Sequence, residues 1–184
     1  MNRRFFWVLL IVVLVNCVVF FRWYRERRER RFDPQIQAAA QRYQIDAALI
    51  KAVIWRESDF NPGARGRAGE LGLMQIRPPA AQEWVASERV RGFEFEHLAD
   101  PGTNTLVGTW YLAKLLKRYS GSKNPLPYAL ADYNAGRTHV LRWMKDDGRH
   151  NPEVFLKQMD FPGTRHYIAT VTEQYEIYRR KMKR

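Results

Sequence analysis

Phe5 to Phe21 is an apolar run broken only by Asn16. As a helix it would extend about 26 Å. That is slightly short of a hydrocarbon core of about 30 Å, but Arg22 can snorkel and Trp23 and Tyr24 suit the interface. Arg3 and Arg4 precede the run, as in a signal sequence, and no small-x-small cleavage site follows it. The pattern therefore predicts an uncleaved membrane anchor over residues 1–31, with the span at about 5–21. A cleaved secretory peptide and lipidation at Cys17 are the alternatives. The bulky Asn16 directly before the cysteine, and the apolar residues after it, oppose lipidation. Residues 22–32, RWYRERRERRF, read as a charged linker or helical extension, with arginines resting on lipid phosphates.

From Asp33 the pattern becomes helical, and the expected class is all-α. Asp33-Pro34 opens a helix toward Tyr43, and Asp46 caps the next. Pro78 or Pro79 starts a short helix to about Ser87. Asp100-Pro101 starts a long one with Leu106, Trp110, Leu115 and Tyr119 toward an apolar face. Pro127 opens a helix that Gly136 ends, and Asn151-Pro152 opens another. The last runs from about Thr164 to Arg180, with Ile168, Val171, Tyr175 and Tyr178 on one side. Phe93 and Phe95 alternate within residues 88–97, a strand or hairpin signal at most.

One position breaks the rule that charges face outward. In Ala47–Glu57, AALIKAVIWRE, Glu57 falls on the same stripe as Ile50, Val53 and Ile54 at about 100° per residue. A carboxylate among aliphatic side chains loses hydration, which favours its protonated form and raises its pKa. A general acid working near neutral pH needs that property. A glutamate at a helix end can equally point to solvent.

Composition narrows the choices. A chain of 184 residues has room for one domain and an appendage, and 46% hydrophobic content supports a packed core. The net charge of +12 divides evenly: residues 1–31 carry eight Arg against two Glu, and the remainder is also net +6. A basic surface suits an anionic polymer. No helix-turn-helix, zinc-finger or RNA-binding aromatic signature accompanies it, so no nucleic-acid partner is expected. Cys17 is the only cysteine, so no intrachain disulfide can form. His97, His139, His150 and His166 lack metal-ligand spacing, and neither metal nor cofactor is expected.

Three further segments follow in order: Glu57-Ser58, Gly72-Leu73-Met74-Gln75-Ile76 and Tyr133-Asn134-Ala135-Gly136. On these the chain resembles the soluble lytic transglycosylases, peptidoglycan-cleaving enzymes related in fold to goose-type lysozyme. The resemblance covers roughly Asp33 to Tyr178. It implies a goose-type-lysozyme-like catalytic domain over residues 32–184. It also implies the cleavage of the MurNAc-GlcNAc β-1,4 bond with Glu57 as the single catalytic acid and base. The C6 hydroxyl of the sugar closes on its own anomeric carbon, giving a 1,6-anhydro end without water. Ser58, Met74, Gln75, Tyr133 and Tyr167 are the expected substrate-binding residues, with Tyr133 resembling the tyrosine whose hydroxyl approaches the glutamate. Gln75 would serve acetamido groups as donor and acceptor, and Met74 would form an apolar wall for a sugar face. Asn134 and Gly136 read as structural. The segment Gly163-Thr164-Arg165-His166-Tyr167 departs from the family, which often has glutamate where Gly163 stands.

The residues alone leave the mechanism open, since ordinary glycosidases use two carboxylates. Asp59 faces away from Glu57 on a helix, and the sequence does not locate Glu70. A muramidase on the same fold and a scaffold that only binds glycan remain alternatives. Localisation is also contested. Six arginines follow the apolar run and two precede it, which by the positive-inside rule puts the C-terminal domain in the cytoplasm. Peptidoglycan as partner requires the opposite side, with the membrane as second partner through the N-terminal helix.

Overall fold

The computed structural model describes residues 3–183, with all side chains except those of 4–6. Met1, Asn2 and Arg184, the outer ends of the two expected domains, lie outside the described residues. The chain divides into two compact units, Met1–Pro34 and Gln35–Arg184.

The first unit is one helix, α1 (Arg3–Arg30). Its apolar side chains from Trp7 to Phe21 stand exposed along their length, as they would toward lipid. Among the described residues it is the one helix long and apolar enough to cross a membrane. Asn16 donates its amide proton to the Val12 carbonyl at 2.8 Å, so its polar group is satisfied within the helix. After the apolar stretch, Arg25–Glu29 and Arg30–Glu26 pair across single turns at 3.0 and 2.6 Å.

The second unit contains α2 (Asp33–Tyr43, opening in the linker), α3 (Ala47–Ser58), α4 (Pro78–Glu88) and α5 (Pro101–Arg118), then α6 (Leu126–Ala135), α7 (Arg137–Trp143), α8 (Pro152–Gln158) and α9 (Pro162–Met182). No strand occurs among the described residues. The Phe93/Phe95 alternation is not a strand: Phe95–Ala99 is a 3-10 turn, and Phe93 packs its ring on Trp84. Phe93 also meets the His97 ring, at 5.9 Å between centres. The sequence reading also had no helix for α7, because Gly136 ends α6 and a new helix starts at once from it.

Helix starts follow the residue chemistry. Asp46 accepts the Ala48 amide at 2.9 Å, Asp100 accepts Thr103 at 2.7 Å and Asn151 accepts Glu153 at 3.0 Å. Prolines occupy the first turns of α4, α5, α6, α8 and α9, where a missing N–H costs nothing. The core forms around α3, buried from Ala47 through Ile54, with α9 packed along it and α6 bridging α9 to α5. Tyr175 on α9 donates to the same Asp46 that caps α3, at 2.9 Å.

Of the expected α5 face, Leu115 and Tyr119 are buried, but the buried side is turned away from Leu106 and Trp110. Asn104, Thr105, Val107, Gly108, Thr109, Leu112 and Leu115 are buried, while Leu106 and Trp110 are partly exposed. Three of these buried positions are polar, so hydrophobicity alone misplaces the face.

Candidate active site

Glu57 sits one residue from the end of α3, with its carboxyl half-buried. The helix stops because Asp59 and Phe60 both adopt left-handed backbone, at φ 48° and 61°. That conformation is uncommon for side-chain-bearing residues, and here the burial of Phe60 at 1% exposure holds it. Burial raises the Glu57 pKa from 4.5 to about 7, opposed by a hydrogen bond from Tyr167 and the charge of Arg56, and aided by the charge of Glu70.

Tyr167 is the residue that reaches the glutamate. It lies on α9, and its hydroxyl donates to Glu57 Oε1 at 2.6 Å. The proton of the neutral acid is then left to Oε2. Tyr133 stands close enough for the Glu57 charge to add to the rise that burial imposes on its pKa, while its hydroxyl donates to the Met74 carbonyl at 2.7 Å. Both tyrosines have pKa values well above the ordinary range, chiefly from burial and further from the Glu57 charge. They stay protonated donors at any working pH. Tyr167 makes the direct bond because α9 lies along α3, whereas the hydroxyl of Tyr133 on α6 is held by the Gly72–Ile76 segment.

That segment is a tight loop built on backbone exchange. Leu71 and Ile76 trade hydrogen bonds at 3.1 and 3.0 Å. Gly72 and Gln75 both take positive φ, at 80° and 47°. Gln75 donates its side-chain amide to the Ala64 and Gly72 carbonyls at 3.0 and 2.9 Å. Its two amide protons are thus committed to the loop, and only its carbonyl oxygen remains to serve a ligand as acceptor. Met74 is a correction. It is fully buried against Gly108 and Thr109, so its side chain is core and offers no wall to a sugar. Ser58 likewise turns inward, donating to the Leu73 carbonyl at 2.8 Å and contacting Ile54 at 3.2 Å. It ties the Glu57 helix to the loop rather than touching the carboxyl.

Asn104 on α5, absent from the sequence reading, organises the loop. Fully buried, it accepts the Met74 amide at 2.8 Å and donates to the Leu71 and Leu98 carbonyls at 2.8 and 3.0 Å. A Cβ on Gly72 would stand 2.1 Å from Asn104 Nδ2, so glycine is required there for closeness as well as for φ. Sequence did hold a signal. Asn104, Gly108, Leu112 and Leu115 share one helical stripe, and a polar group on an apolar stripe is what singled out Glu57.

Gln75, Ile76, Arg77, Tyr111, Tyr133 and Asn134 line a cleft beside the loop. Tyr111 packs on Tyr133 with ring centres 5.6 Å apart. Asn134 accepts from Thr164 Oγ1 at 2.9 Å, which fixes the start of α9 to the end of α6. Gly136, at φ 85°, makes the break between α6 and α7. Asp132 beneath the cleft is buried and held by Arg118 and Tyr119 at 2.6 and 2.7 Å. A larger shallow hollow of about 790 Å³ lies under Trp110 and Lys114 between α4 and α5, and it holds none of the motif residues.

Neither second carboxylate sits as a partner to Glu57. Asp59 is exposed past the helix end. Glu70 turns into its own loop, accepting the Ala68 amide at 2.9 Å with Arg77 at 3.8 Å. No cluster of three or more possible metal ligands occurs among the described residues.

The Transglycosylase SLT domain family matches residues 34–156. The chain is 41% identical over 113 residues to membrane-bound lytic murein transglycosylase F of Desulfosudis oleivorans, covering 60% of this chain and 23% of that one. It is 33% identical over 171 residues to membrane-bound lytic murein transglycosylase C of Actinobacillus succinogenes, covering 83% and 48%. The fold superposes on the 70-kDa soluble lytic transglycosylase of Escherichia coli with a TM-score of 0.75 at 28% identity, over 83% of this chain and 25% of that one. An inactive glutamate-to-glutamine mutant of the lytic transglycosylase Slt from Pseudomonas aeruginosa superposes equally, at 0.75 and 26%, over 84% and 25%. The chain thus spans half or less of the length of these relatives. With the family match covering most of the residues that build the helices and cleft above, the chain belongs to the lytic transglycosylase SLT domain family.

Proposed function

We propose that this protein is a membrane-anchored peptidoglycan lytic transglycosylase that cleaves the MurNAc-GlcNAc β-1,4 bond and leaves a 1,6-anhydro-muramoyl end. One observation carries the reading: the partly buried carboxyl of Glu57 has a pKa of about 7 and one oxygen held by Tyr167. At neutral pH such a group can give a proton and take one back, which is the economy the reaction needs.

In this reading Glu57 Oε2 protonates the glycosidic oxygen as the C1–O bond breaks. The carboxylate then accepts the proton of the C6 hydroxyl, whose oxygen bonds to C1. The bond pair leaves with the departing sugar, and the substrate acetamido oxygen shares the positive charge at C1. Tyr167 stabilises the carboxylate between the two proton transfers, because a hydrogen bond to an ionised acceptor is stronger than to a neutral one. Gln75 and Asn134 line the cleft, and the groups their own bonds leave over, Gln75 Oε1 and the Asn134 amide, would serve acetamido groups as acceptor and donor.

A muramidase on the same fold is the second reading. The turned-in Glu70 disfavours it, since direct hydrolysis by inversion needs a second carboxylate placed to activate water. Mass spectrometry of muropeptides released by the full chain separates the two: anhydro ends are lighter than reducing ends by one water. Reducing ends alone would replace the lyase with a hydrolase.

Residues 1–31 would serve as anchor and linker and residues 32–184 as the catalytic domain. Relatives are named membrane-bound, and α1 is long and apolar enough to span a bilayer. The catalytic domain would face the wall in a single-pass arrangement, with the site chemistry outweighing the arginine count.

A further inference from the structure

Tyr167 is held at two points by α3. Its hydroxyl donates to Glu57 Oε1 at 2.6 Å, and the guanidinium of Arg56 lies 5.4 Å over its ring. Neighbouring residues of a helix project about 100° apart, so Arg56 and Glu57 reach the one tyrosine from different directions. Tyr167 is buried at 2% exposure, whereas Arg56 is exposed. A cation over an aromatic face is attracted by the ring electrons. Arg42, Arg142 and Arg179 also cover rings, those of Tyr43, Trp143 and Tyr175, but each of them is paired with an acid as well. The ring under Arg56 is the one whose hydroxyl bonds Glu57.

The charges around Glu57 follow the same geometry. Burial raises the Glu57 pKa to about 7, the Tyr167 bond and then the Arg56 charge oppose the rise, and the Glu70 charge adds to it. Tyr133 on α6 senses the Glu57 charge in turn. Of these four groups Arg56 is the cation, and the proposed chemistry gives it no part. Burial and the Glu57 charge also push the Tyr167 hydroxyl upward, and Arg56 opposes that rise. A hydroxyl held less high is the stronger donor to a carboxylate.

We propose that Arg56 is a positioning residue for Glu57: it pins the Tyr167 ring and favours the carboxylate that stands between the two proton transfers. The inference rests on reading Glu57 as the acid and base of glycan cleavage. Glu57 has to release its proton before it can take the next one, and burial opposes that release. A cation on the Tyr167 ring offsets part of the opposition, both through the hydroxyl it steadies and through space. It acts on the chemical step, so binding of the strand does not depend on it.

The test compares the full chain, in nonionic micelles, with its Arg56→Gln and Arg56→Lys variants on one soluble glycan strand. Arg56→Gln should lower kcat about twofold to fivefold and leave KM within about twofold. Its alkaline limb of kcat/KM should move to higher pH, because Glu57 then holds its proton longer. Arg56→Lys keeps a cation for the ring and should return the limb to the wild-type position. In a Tyr167→Phe background the ring remains but the hydroxyl bond is gone, so Arg56→Gln should cost less in kcat than it does in the wild type. A rise in KM at constant kcat would make Arg56 a strand-binding group and overturn the proposal. An unmoved limb, or a lysine variant displaced as far as the glutamine one, would overturn it too. Carbon-13 NMR of the Glu57 carboxyl in the same chains reads its titration without turnover: the midpoint should rise in Arg56→Gln and stay in Arg56→Lys. That pattern in a chain that cuts no glycan keeps the role of Arg56 and removes the catalytic reading instead. A midpoint untouched by Arg56→Gln in an active chain removes Arg56 and leaves that reading standing.

Discussion

Tyr167 and Glu57 are 110 positions apart in sequence, yet the tyrosine hydroxyl donates to the carboxylate at 2.6 Å. The bond joins α9 to α3, two helices packed along one another. It does two things at once: it occupies one carboxyl oxygen and leaves the other for the proton, and it opposes the rise that burial imposes on the Glu57 pKa. Tyr167→Phe should therefore move the alkaline limb of kcat/KM to higher pH, from its wild-type position near 7. The acid stays protonated longer once its donor is gone. The rate at the optimum should fall about tenfold to a hundredfold, the worth of a hydrogen bond to a charged group. A pH–rate profile with an unmoved alkaline limb would separate Tyr167 from Glu57.

Glu57→Gln should abolish cleavage, with a loss of at least about 10²–10⁴-fold, because one side chain serves both proton transfers. The same variant has a stability signature. Glu57 binds its proton more tightly in the folded chain than in the unfolded one. Its favourable contribution is thus fully present below about 4.5 and lost as pH rises through about 7. Above that, an ionised carboxylate is held against Ile54 and its neighbours. Glutamine removes the charge, so at about pH 8 the variant should gain about 1–2 kcal/mol over wild type, after allowance for partial exposure. The gain should fade toward about pH 5. Urea unfolding at the two pH values measures it, and a gain independent of pH would contradict the raised pKa.

Asn104→Ala tests whether the Leu71–Ile76 loop needs its clamp. The substitution strips partners from one backbone amide and two carbonyls, all buried. The expected cost is about 2–4 kcal/mol in stability. Activity should fall in a chain still folded at low temperature, since Tyr133 and Gln75 are bonded to the loop that loosens. Asn104→Asp keeps the acceptor for Met74 but loses both donated bonds, and should not rescue. Wild-type melting by either variant would leave Asn104 without this role.

Glu57 was legible in sequence because a single charge interrupted an aliphatic stripe within one helix. Asn104 obeyed the same rule, but Asn104, Thr105 and Thr109 together made the buried face of α5 look polar. The turned α5 face and the overlooked clamp are thus one error. That Tyr167 rather than Tyr133 bonds Glu57 directly has another origin: motif spacing says which residues gather but not which helix packs along α3. Met74 and Ser58 were read as facing ligand because they belong to motifs. In the fold both serve the loop, Met74 by filling the space over Gly108, where a Cβ would come 2.4 Å from its sulfur. The helix starts were readable because Asp, Asn and Pro act locally. The strand signal failed because two alternating rings cannot distinguish a pleat from a 3-10 turn.

The N-terminal helix gives the remaining expectation. Its apolar side chains from Trp7 to Phe21 have about half their surface exposed or more in most positions, which in water would be costly at about 25 cal/mol per Å². A bilayer removes that cost, so the full chain should fractionate with membranes and resist extraction by high salt. A chain beginning near Phe32 should remain in the supernatant and still cut glycan strands, because every residue of the candidate site lies beyond Asp33. Orientation is the sharper question. Arg22, Arg25, Arg27, Arg28, Arg30 and Arg31 follow the span, against Arg3 and Arg4 before it, and that bias alone would keep the following domain in the cytoplasm. The pairs Arg25–Glu29 and Arg30–Glu26 do not relieve that bias, because acidic residues count little toward it, so the wall-facing side rests on the chemistry of the Glu57 site. Protease added to sealed cells made permeable only at the outer side should therefore degrade the domain carrying Glu57. Protection of that domain would put Glu57 on the side without peptidoglycan and remove wall cleavage as its function.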